Sequence, residues 1–362
     1  MNSNKKTTVL SSSDVQAIVQ SYGLNNIMDK LINVLEREIL AYDAKETVIP
    51  KRSGFNYEKP YSGLVEWMPV YSKEKEVVIK VVGYHPQNPI HFDLPTILST
   101  ISNYDTSTGH LNGVVDGVLL TALRTGAASA IASKYMAAPE SSVLGLIGCG
   151  AQAVTQLHAI SRIFDINKVV YFDIDKNTSA NFKNRCALLT QDMDIEFVNA
   201  EIPEILRVSD ILCTATSIDV AKGPLFSSNL PVNPELHINA VGSDFPGKIE
   251  LPLALLKESF VCPDFKEQAQ IEGECQQLES EDIGPELEAL VKAPESYGSV
   301  KEQLSVFDST GWALEDSVVM NLFMEVADEL GIGTELVIEN ILTDAKNPYQ
   351  FLVEKIEEPI KH

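Results

Sequence analysis

The sequence predicts an α/β protein whose central part is a parallel sheet covered by helices. Between residues 142 and about 304, short apolar runs typical of strands alternate with helical stretches, and this alternation is typical of a parallel sheet covered on both faces. Before this region the pattern is first helical and then strand-like, and beyond Thr310 it is helical again. The 362 residues are enough for two domains at the usual size of about 150 residues each.

The composition indicates a globular protein with an acidic surface. Hydrophobic residues make up 44% of the chain, and 28 basic residues stand against 51 acidic ones, giving a net charge of −23. Such a surface repels nucleic-acid phosphates and anionic lipids. The N-terminal sequence MNSNKKTTVL lacks an apolar signal segment, and no apolar run reaches the roughly 18 residues of a membrane span. We therefore expect a soluble, cytoplasmic protein that binds neither nucleic acid nor a membrane.

The cysteines and histidines indicate neither disulfides nor a metal site. The five cysteines form no CxxC pair, and their odd number does not suit a complete disulfide framework. The six histidines show no H-x-x-x-H spacing. We expect reduced thiols and no bound metal.

The segment before the central sheet is expected to begin with a helix and continue with strands. Apolar residues recur at helical spacing over residues 13–42, and Ser13 and Gln16 have the S-x-x-Q spacing of a capping box. Residues 63–68 and 76–82 alternate in the manner of strands.

Two further helices are expected on either side of the central sheet. The alanine-rich stretch 119–136 favours a helix that ends before Pro139. Residues 314–330 predict a last helix, followed by Gly331, Gly333 and a turn-rich tail. A returning helix of this kind often packs against the first domain.

A glycine-rich turn at residues 148–153 predicts a dinucleotide site. The strand at 143–147 leads into the G-x-G-x-x-A sequence of this turn, and a helix follows. Gly148 permits the tight turn, Gly150 lets a pyrophosphate approach the backbone, and Ala153 allows close packing of helix and strand. The helix N-terminus then offers N–H donors to the phosphates.

The end of the second strand favours NAD over NADP. Asp173 can accept hydrogen bonds from the adenosine ribose hydroxyls, and Ile174 stands where an NADP enzyme often has an arginine. The alternative is an ordinary turn with Asp173 as a helix N-cap.

Four motifs in order resemble the ornithine cyclodeaminase/μ-crystallin family. They are LLTALRTGAAS at 119–129, GCGAQA at 148–153, NAVGSDFPGK at 239–248 and FDSTGWALED at 307–316. The resemblance runs from about Arg52 to Gly333. Within the family it is nearest to lysine cyclodeaminases that form pipecolate, through EWMP at 66–69, VGYHP at 82–86, LPTIL at 94–98, DGVLL at 116–120 and EGECQQL at 272–278.

The resemblance implies a fold and an activity. The fold is an NAD-binding Rossmann domain, residues 138–312, inserted in an α+β substrate-binding and dimerisation domain formed by residues 1–137 and a C-terminal helical part, 313–362. The implied protein is a homodimer that converts L-lysine to L-pipecolate and ammonia by internal hydride transfer and cyclisation. Its NAD is recycled within each turnover.

This chemistry needs a cation for the α-carboxylate and a carboxylate near the reacting nitrogens. Arg124 lies in the first motif, and an arginine fork is a natural partner for a carboxylate. Arg52 and Lys80 match the family's other basic substrate contacts, and Lys80 is also expected to take part in catalysis. The residues alone leave open that Arg52 and Lys80 lie on a solvated strand face.

Asp244 is the expected proton-transfer residue. It follows the predicted strand at 237–241, at the carboxyl edge of the sheet where open α/β folds place their chemistry. A carboxylate there can move protons among the α-amine, the leaving ammonia and the attacking amine. Its position matches the family's catalytic aspartate, and the alternative is an Asx turn before Pro246.

Glutamates are expected around the distal amine of a diamino acid, which must be held and then deprotonated before it attacks. Glu66 is a candidate catalytic group. Glu272 matches a substrate-binding position in the lysine enzymes, and Glu274 is the alternative to it. Met68 is expected in the wall of the substrate pocket.

The resemblance also implies a set of cofactor contacts around the glycine-rich turn and the ends of the neighbouring strands. They are Thr125, Gly148, Gly150, Ala151, Gln152, Asp173, Thr214, Ala215, Val241, Gly242, Ser243, Lys248 and Ser309.

Other functions remain open at this point. Ornithine cyclodeamination to L-proline is the nearest alternative, because one methylene changes pocket discrimination by only about 1–3 kcal/mol. An NAD(P)H-dependent imine or ketimine reductase, or an opine-type dehydrogenase, would keep the hydride step without cyclisation. A non-catalytic binder of the μ-crystallin type is the third class. Asp244 favours cyclodeamination, since neither a binder nor a reductase requires a carboxylate at that position.

Overall fold

The computed structural model describes residues 5–340, 342, 344 and 346–352, so residues 1–4 and the end of the expected tail lie outside the described residues. Within the described part the strands are β1 Thr7–Leu10, β2 Thr47–Val48, β3 Ser53–Tyr57, β4 Gly63–Ser72, β5 Glu76–Tyr84, β6 Ile97–Asp105, β7 Leu111–Asp116, β8 Val143–Ile147, β9 Lys168–Phe172, β10 Glu196–Asn199, β11 Ile211–Thr214, β12 His237–Ala240, β13 Phe260–Pro263, β14 Ser305–Asp308 and β15 Thr334–Leu336. The α-helices are α1 Ser12–Tyr22, α2 Leu24–Ala41, α3 Asn88–His91, α4 Val118–Met136, α5 Ala151–Ile160, α6 Lys176–Ala180, α7 Phe182–Thr190, α8 Ile202–Val208, α9 Leu253–Glu258, α10 Lys266–Ala269, α11 Leu287–Lys292 and α12 Ala313–Leu330.

The central region forms the expected parallel sheet. Among the described residues it has seven strands in the order β10-β9-β8-β11-β12-β14-β13, and every neighbouring pair is parallel. Leu144 and Leu146 of β8 pack into one apolar cluster, while Ile147 packs into another. Both faces are therefore buried, and the strand order reverses between β8 and β11, where folds of this type bind their ligands.

The second sheet joins the two ends of the chain. Its order is β15-β1-β7-β6-β5-β4-β2, with β3 paired to β4, which makes eight strands in the described residues. β1 precedes the parallel sheet in sequence and β15 follows it, and the two pair with each other in antiparallel fashion. The Rossmann unit is thus inserted into a mixed α+β unit, as the sequence predicted.

The first predicted helix is broken in two, and its predicted cap is wrong. Gly23 separates α1 from α2 with φ +93°, a conformation that side-chain-bearing residues rarely adopt. The capping box is formed by Ser11 and Asp14 and not by Ser13 and Gln16, since the Ser11 side chain accepts from Asp14 N and the Asp14 side chain from Ser11 N. The helical spacing continues across the break, which is why the pattern reads as one helix.

Two long helices connect the two units. α4 and α12 are buried along most of their length and belong to the core that lies against the mixed sheet. A Cβ atom on Gly126 of α4 would lie 2.5 Å from the carbonyl oxygen of Thr155 in α5. The absence of a side chain there lets α4 pack directly on the first helix of the Rossmann unit.

No described helix is both long and apolar enough to cross a membrane. The described part of the chain likewise contains no group of three or more His, Cys, Asp or Glu residues arranged to hold a metal ion.

Candidate active site

The turn after β8 has the geometry of a phosphate-binding loop. Gly148 has φ +91°, and a Cβ there would lie 2.5 Å from the carbonyl oxygen of Ala215. Gly150 faces open space, with no heavy atom within 4 Å of an added Cβ. Gly150 is also the N-cap of α5, and no side chain caps that helix. The free helix N-terminus and the open space in front of it fit a pyrophosphate group.

Asp173 lies beside this turn and is not a helix cap. Its Oδ2 accepts from Cys149 N at 2.7 Å, and its Oδ1 accepts from Asp175 N at 2.8 Å. The N-cap of α6 is Asp175, whose side chain accepts from Asn177 N. The neighbouring Ile174 is 92% exposed. The alternative in which Asp173 caps a helix is therefore excluded.

A cavity of about 290 Å³ extends from the turn along the carboxyl edge of the parallel sheet, and most predicted cofactor residues line it. Those lining it are Gly150, Ala151, Gln152, Ala215, Val241, Gly242 and Lys248. Five others are buried but do not line it: Thr125, Gly148, Thr214, Ser243 and Ser309. Asp173 is half-buried and lies outside the lining as well. The glycine-rich turn and the helix N-terminus in its lining fit the pyrophosphate of a dinucleotide.

A second cavity of about 70 Å³ contains most of the predicted substrate residues. Arg52, Glu66, Met68, Lys80, Arg124 and Asp244 all line it. The two cavities share four wall residues: Tyr84, Ile97, Thr121 and Asp244. A molecule in the smaller cavity therefore lies next to the end of a ligand bound in the larger one.

The two deepest cations of the substrate cavity are paired with carboxylates of α12. Lys80 Nζ lies 2.9 and 2.8 Å from the two carboxylate oxygens of Asp316. Arg124 Nη1 donates to Glu315 Oε2 at 2.7 Å, and its Nε lies 3.2 Å from Asp316 Oδ1. Lys80 is only 1% exposed, so it does not decorate a solvated strand face.

Arg52 is held on the opposite side by two glutamates. Its Nη1 lies 3.3 Å from Glu66 Oε1 and 2.8 Å from Glu272 Oε1. Its Nη2 donates to the carbonyl oxygens of Thr310 at 2.6 Å and Gly311 at 3.0 Å. Arg52 is thus largely buried as well, and the solvated alternative fails for both cations.

Burial and neighbouring charges shift the pKa values of three side chains at this cavity in the direction that favours their neutral forms. Burial, with repulsion from Arg124, lowers the pKa of Lys80 to about 8, against the attraction of Asp316. Burial raises the pKa of Glu272 to about 8 despite the nearby Arg52. Burial likewise raises the pKa of Glu66. Lys80 and Glu272 can therefore change charge near pH 8, as acid–base chemistry requires.

The structure separates Glu272 from Glu274. Glu272 pairs with Arg52, beside the substrate cavity. Glu274 is fully buried and accepts from the backbone N–H groups of Glu250 at 2.7 Å and Leu251 at 3.2 Å. Glu274 fixes a loop, so Glu272 is the glutamate that lies within reach of a substrate.

Asp244 lies in the wall between the cavities, four residues beyond β12. Its Oδ1 is 2.5 Å from Lys248 Nζ, and its side chain is 36% exposed. No backbone N–H donates to it among the described residues, so it is not the cap of an Asx turn. A carboxylate in this wall can exchange protons with a substrate bound beside the cofactor cavity.

Three buried residues of the site were missed by the sequence reasoning. Glu315 and Asp316 lie inside the recognised motif at 307–316, but acidic residues in the first turn of a helix are common and indicate no partner. Glu250 accepts from Thr216 N at 2.8 Å and Gly242 N at 3.0 Å, tying together the loops after β11 and β12. Nothing in its local sequence distinguishes it from a surface glutamate.

Comparison with known proteins assigns the family. The profile of the ornithine cyclodeaminase/mu-crystallin family matches residues 12–330. The chain belongs to this family. The chain is similar to L-lysine cyclodeaminase of Streptomyces rapamycinicus. The two are 39% identical over 345 residues, which cover 95% of this chain and 99% of the relative.

Solved structures of similar proteins share the whole fold. A lysine cyclodeaminase, studied for its recognition of L-lysine, L-ornithine and L-2,4-diaminobutyric acid, superposes with a TM-score of 0.91 at 43% identity, covering 95% of this chain and 99% of that chain. An archaeal alanine dehydrogenase dimer with bound NAD superposes with a TM-score of 0.79 at 31% identity, covering 92% and 99%. Family members of this fold therefore include both cyclodeaminases and dehydrogenases.

Proposed function

We propose that the protein is an NAD-dependent cyclodeaminase that converts L-lysine to L-pipecolate and ammonia. The observation that carries the proposal is the position of Asp244, whose carboxylate lines both the cofactor cavity and the substrate cavity. Proton transfer at nitrogen and hydride transfer at the adjacent carbon can then occur on one bound molecule. The 39% identity to L-lysine cyclodeaminase supports the choice of lysine.

The charges of the substrate cavity suit a diamino acid. Lys80 and Arg124 lie together against α12 and offer N–H donors to an α-carboxylate. Glu66 and Glu272 meet at Arg52 and offer carboxylate oxygens to the distal ammonium. A monoamino acid would leave these buried carboxylates without a cation from the substrate, which disfavours it.

NAD, which the glycine-rich turn and Asp173 would hold, would supply the redox chemistry, as the acceptor of a hydride from Cα and its donor to the cyclic imine. Side chains of the protein orient the substrate and transfer its protons. Lys80 and Arg124 fix the carboxylate and so orient Cα toward the cofactor cavity. Asp244 takes a proton from the α-amine, and Glu272 in its ionised form takes one from the distal ammonium so that this amine can attack the imine carbon.

The expulsion of ammonia needs a proton at the α-nitrogen. Asp244 can return the proton that it took, because it remains beside that nitrogen throughout. The ring nitrogen, which carries two protons after the attack, gives one to the Asp244 carboxylate, and the C–N bond to the α-nitrogen breaks as the ring C=N bond forms. Asp244 and Glu272 return their protons to the products. The overall change is lysine to pipecolate plus ammonia, with no net oxidation.

We propose NAD rather than NADP as the cofactor. The Asp173 carboxylate lies beside the glycine-rich turn, where it would repel a ribose 2′-phosphate, and Ile174 offers it no positive charge. Calorimetric titration should give clearly tighter binding of NAD, and equal affinity for NADP would contradict this choice.

We further propose the domain division 1–137, 138–312 and 313–362, a homodimer, and a cytoplasmic location. The pairing of β1 with β15 supports the division. The outer face of the mixed sheet supports the dimer, since Phe55 is 69%, Leu98 40% and Val81 38% exposed, and large apolar faces of this kind bind other protein surfaces. Five free, buried cysteines among the described residues suit a reducing compartment.

Incubation with a panel of amino acids tests the function. The purified protein, with a catalytic amount of NAD, is given L-lysine, L-ornithine or L-2,4-diaminobutyrate, and ammonia and cyclic amino acid are measured by mass. We expect equal yields of L-pipecolate and ammonia from L-lysine at the highest kcat/KM. A preference for ornithine would make the protein an ornithine cyclodeaminase.

Two further outcomes identify the other classes. A requirement for stoichiometric NADH, with reduction of an added cyclic imine and no ammonia, would indicate a ketimine reductase. Binding of NAD and amino acid without turnover would indicate a binding protein. Either outcome contradicts the proposed cyclodeaminase.

A further inference from the structure

A single short segment contacts all three cations of the substrate cavity. It comprises residues 310–316, which are the turn after β14 and the first residues of α12. Its carbonyl oxygens at Thr310 and Gly311 both accept from Arg52 Nη2, at 2.6 and 3.0 Å. The turn therefore fixes the plane of the Arg52 guanidinium.

The same segment holds Arg124 from two directions. Glu315 Oε2 accepts from Arg124 Nη1 at 2.7 Å. Gly311, at φ +94°, packs its bare Cα against the guanidinium, because an added Cβ would lie 2.9 Å from both Nη1 and Nη2. Any side chain at this glycine would displace the guanidinium of Arg124.

Asp316 binds Lys80, the third cation that the segment contacts. Its two carboxylate oxygens lie 2.9 and 2.8 Å from Lys80 Nζ, and both side chains are only 1% exposed. Arg124 Nε lies 3.2 Å from one of the same oxygens. The relative positions of Lys80 and Arg124 are thus set by one carboxylate.

A buried aspartate outside the cavity holds the turn itself. Asp264 is 1% exposed, its Oδ2 accepts from Gly311 N at 2.6 Å, and its Oδ1 accepts from the Thr310 hydroxyl at 2.9 Å. The Asp264 carboxylate is therefore linked through two hydrogen bonds to the residues that contact Arg52 and Arg124.

Donors remain available on the arginines after these contacts. Among the described residues, Arg52 Nε is buried with no hydrogen-bond partner, and Arg124 Nη2 donates to no protein acceptor. The protein contacts of Arg124 use Nη1 and Nε, so its Nη2 is free for an anion.

We propose that residues 310–316, held by Asp264, act as a positioning cradle that sets the spacing of Arg52, Lys80 and Arg124. The cradle thereby places Lys80 and Arg124 for the carboxylate end of the substrate, while Arg52 holds Glu66 and Glu272 at the other end. This inference rests on the proposed function for the identity of the substrate. Gly311 and Asp264 are positioning residues in it, since each acts through an arginine that it orients. The rigidity of the cradle comes from α12, an 18-residue helix buried along most of its length.

Gly311→Ala tests the cradle, with Gly331→Ala as the matched control. Gly331 also has a positive φ, at +65°, but an added Cβ there meets no atom within 4 Å. Both variants should lose similar stability from backbone strain, and only Gly311→Ala should move Arg124. Calorimetry on the NAD-loaded proteins compares L-lysine with L-lysinamide, which lacks the carboxylate charge.

We expect Gly311→Ala to weaken L-lysine binding about 10- to 100-fold, the loss of one or two charge-assisted hydrogen bonds. The affinity for L-lysinamide should change less than about threefold, so the ratio of the affinities for L-lysine and L-lysinamide should fall. The affinity for NAD should equal that of the Gly331→Ala control. Preserved discrimination between lysine and lysinamide in folded Gly311→Ala would overturn the cradle.

Asp264→Asn is the second variant, in case Gly311→Ala does not fold. It keeps the size of the side chain and replaces one acceptor oxygen by a donor that faces Gly311 N or the Thr310 hydroxyl. We expect the same loss of carboxylate preference, and unchanged discrimination would contradict the proposal.

If wild type binds L-lysine with carboxylate preference but does not cyclise it, the proposed function is wrong and the cradle stands. If wild type shows no carboxylate preference, the cradle fails.

Discussion

Each deep cation of the substrate cavity lies against a carboxylate from a remote part of the chain. Lys80 of β5 meets Asp316 of α12, and Arg124 of α4 meets Glu315. Breaking a buried pair by removing one partner costs about 3–5 kcal/mol. The pairs keep the cavity polar and shaped before any substrate enters, so the site is largely formed in the free protein.

Replacement of Asp244 by asparagine tests the proton-transfer residue. The substitution keeps the shape and one acceptor oxygen but removes the base, so kcat should fall by roughly 10²–10⁴. Folding and NAD affinity should persist. Steady-state kinetics on protein shown by calorimetry to bind NAD provides the measurement.

Arg124→Ala is the comparison for Asp244→Asn. It removes a substrate anchor, so KM for L-lysine should rise as well, while Asp244→Asn should act mainly on kcat. Wild-type turnover by folded Asp244→Asn would refute the role of the aspartate and direct attention to Glu66 and Glu272.

The pH dependence of kcat/KM should be bell-shaped with a maximum near pH 8. Glu272, with a pKa raised to about 8, is neutral below that pH, so attraction of the distal ammonium grows as pH rises. Lys80, with a pKa lowered to about 8, loses its charge above that pH, so attraction of the carboxylate weakens. Each limb should approach a tenfold change per pH unit.

Glu272→Gln identifies the acidic limb of this profile. The variant cannot ionise, so kcat/KM should be lower at pH 8 and nearly flat between pH 6 and 8. The exposed Glu267→Gln, in the same region of the chain, should retain the wild-type profile. A Glu272→Gln profile that still rises steeply would assign the limb to another group, first of all Glu66.

At this scale the sequence indicated the residues that line the smaller cavity better than the residues behind them. Arg124 and Asp244 lie in recognised motifs, and Lys80 was predicted from its match to the family's basic substrate contacts. Glu315 and Asp316 could not, because their partners are more than 190 positions away along the chain and only the folded packing of α12 brings them together.

Among the elements, α4 links the two binding cavities. Its first turns contribute Thr121 and Ala122 to the cofactor cavity and Arg124 to the substrate cavity. Its middle packs on α5, the helix that follows the glycine-rich turn, through Gly126. The spacing of these two helices therefore sets the distance between substrate and cofactor.

Gly126→Ala should disturb both cavities at once. The added Cβ would lie 2.5 Å from the carbonyl oxygen of Thr155 and 3.2 Å from Ala159 Cβ, so α4 and α5 must separate. Overpacking of this kind costs about 1–3 kcal/mol of unfolding free energy. Urea denaturation measures the stability, and calorimetry should show weaker binding of both NAD and L-lysine.

Gly298→Ala is the control for that change, since an added Cβ there meets nothing within 4 Å. It should leave stability and both affinities near wild type. Unchanged stability of Gly126→Ala would mean that the two helices adjust without cost and do not fix the cavities.

Helices and strands were predicted well where their own sequence pattern is strong. The alternation in the Rossmann unit and the helices at 119–136 and 314–330 correspond to β8–β14, α4 and α12 within a few residues. The break at Gly23 was missed because one glycine does not change the apolar spacing around it. β1 and β15 were missed because each is short and pairs with strands far away along the chain, β15 with β1, and β1 with β7 and β15.

For the whole molecule, the unburied outer face of the mixed sheet is the main feature beyond the active site. Val81 of β5 pairs in register with Trp67 of β4 and Thr100 of β6, near the middle of this face. Its neighbour Lys80 points to the opposite, buried side, as the alternation of a strand requires. A second copy covering this face would bury its apolar residues without blocking the substrate cavity.

Val81→Asp should convert the proposed dimer into a monomer. The new carboxylate would lose its hydration when the dimer forms but stays in contact with water in the monomer, so association becomes unfavourable. Leu188→Asp, at a 70% exposed position on α7, is the matched control and should remain dimeric. Sedimentation measures the masses, and a Val81→Asp protein that stays dimeric would place the interface elsewhere.

In the proposed mechanism one bound molecule is oxidised, cyclised and reduced without leaving the site. L-Lysine deuterated at Cα tests it most directly, with a catalytic amount of unlabelled NAD. Mass spectrometry should find the deuterium retained at Cα of L-pipecolate, since the hydride returns to the carbon that it left. Accumulation of deuterated NADH in proportion to lysine consumed, or product without the label at Cα, would contradict the account.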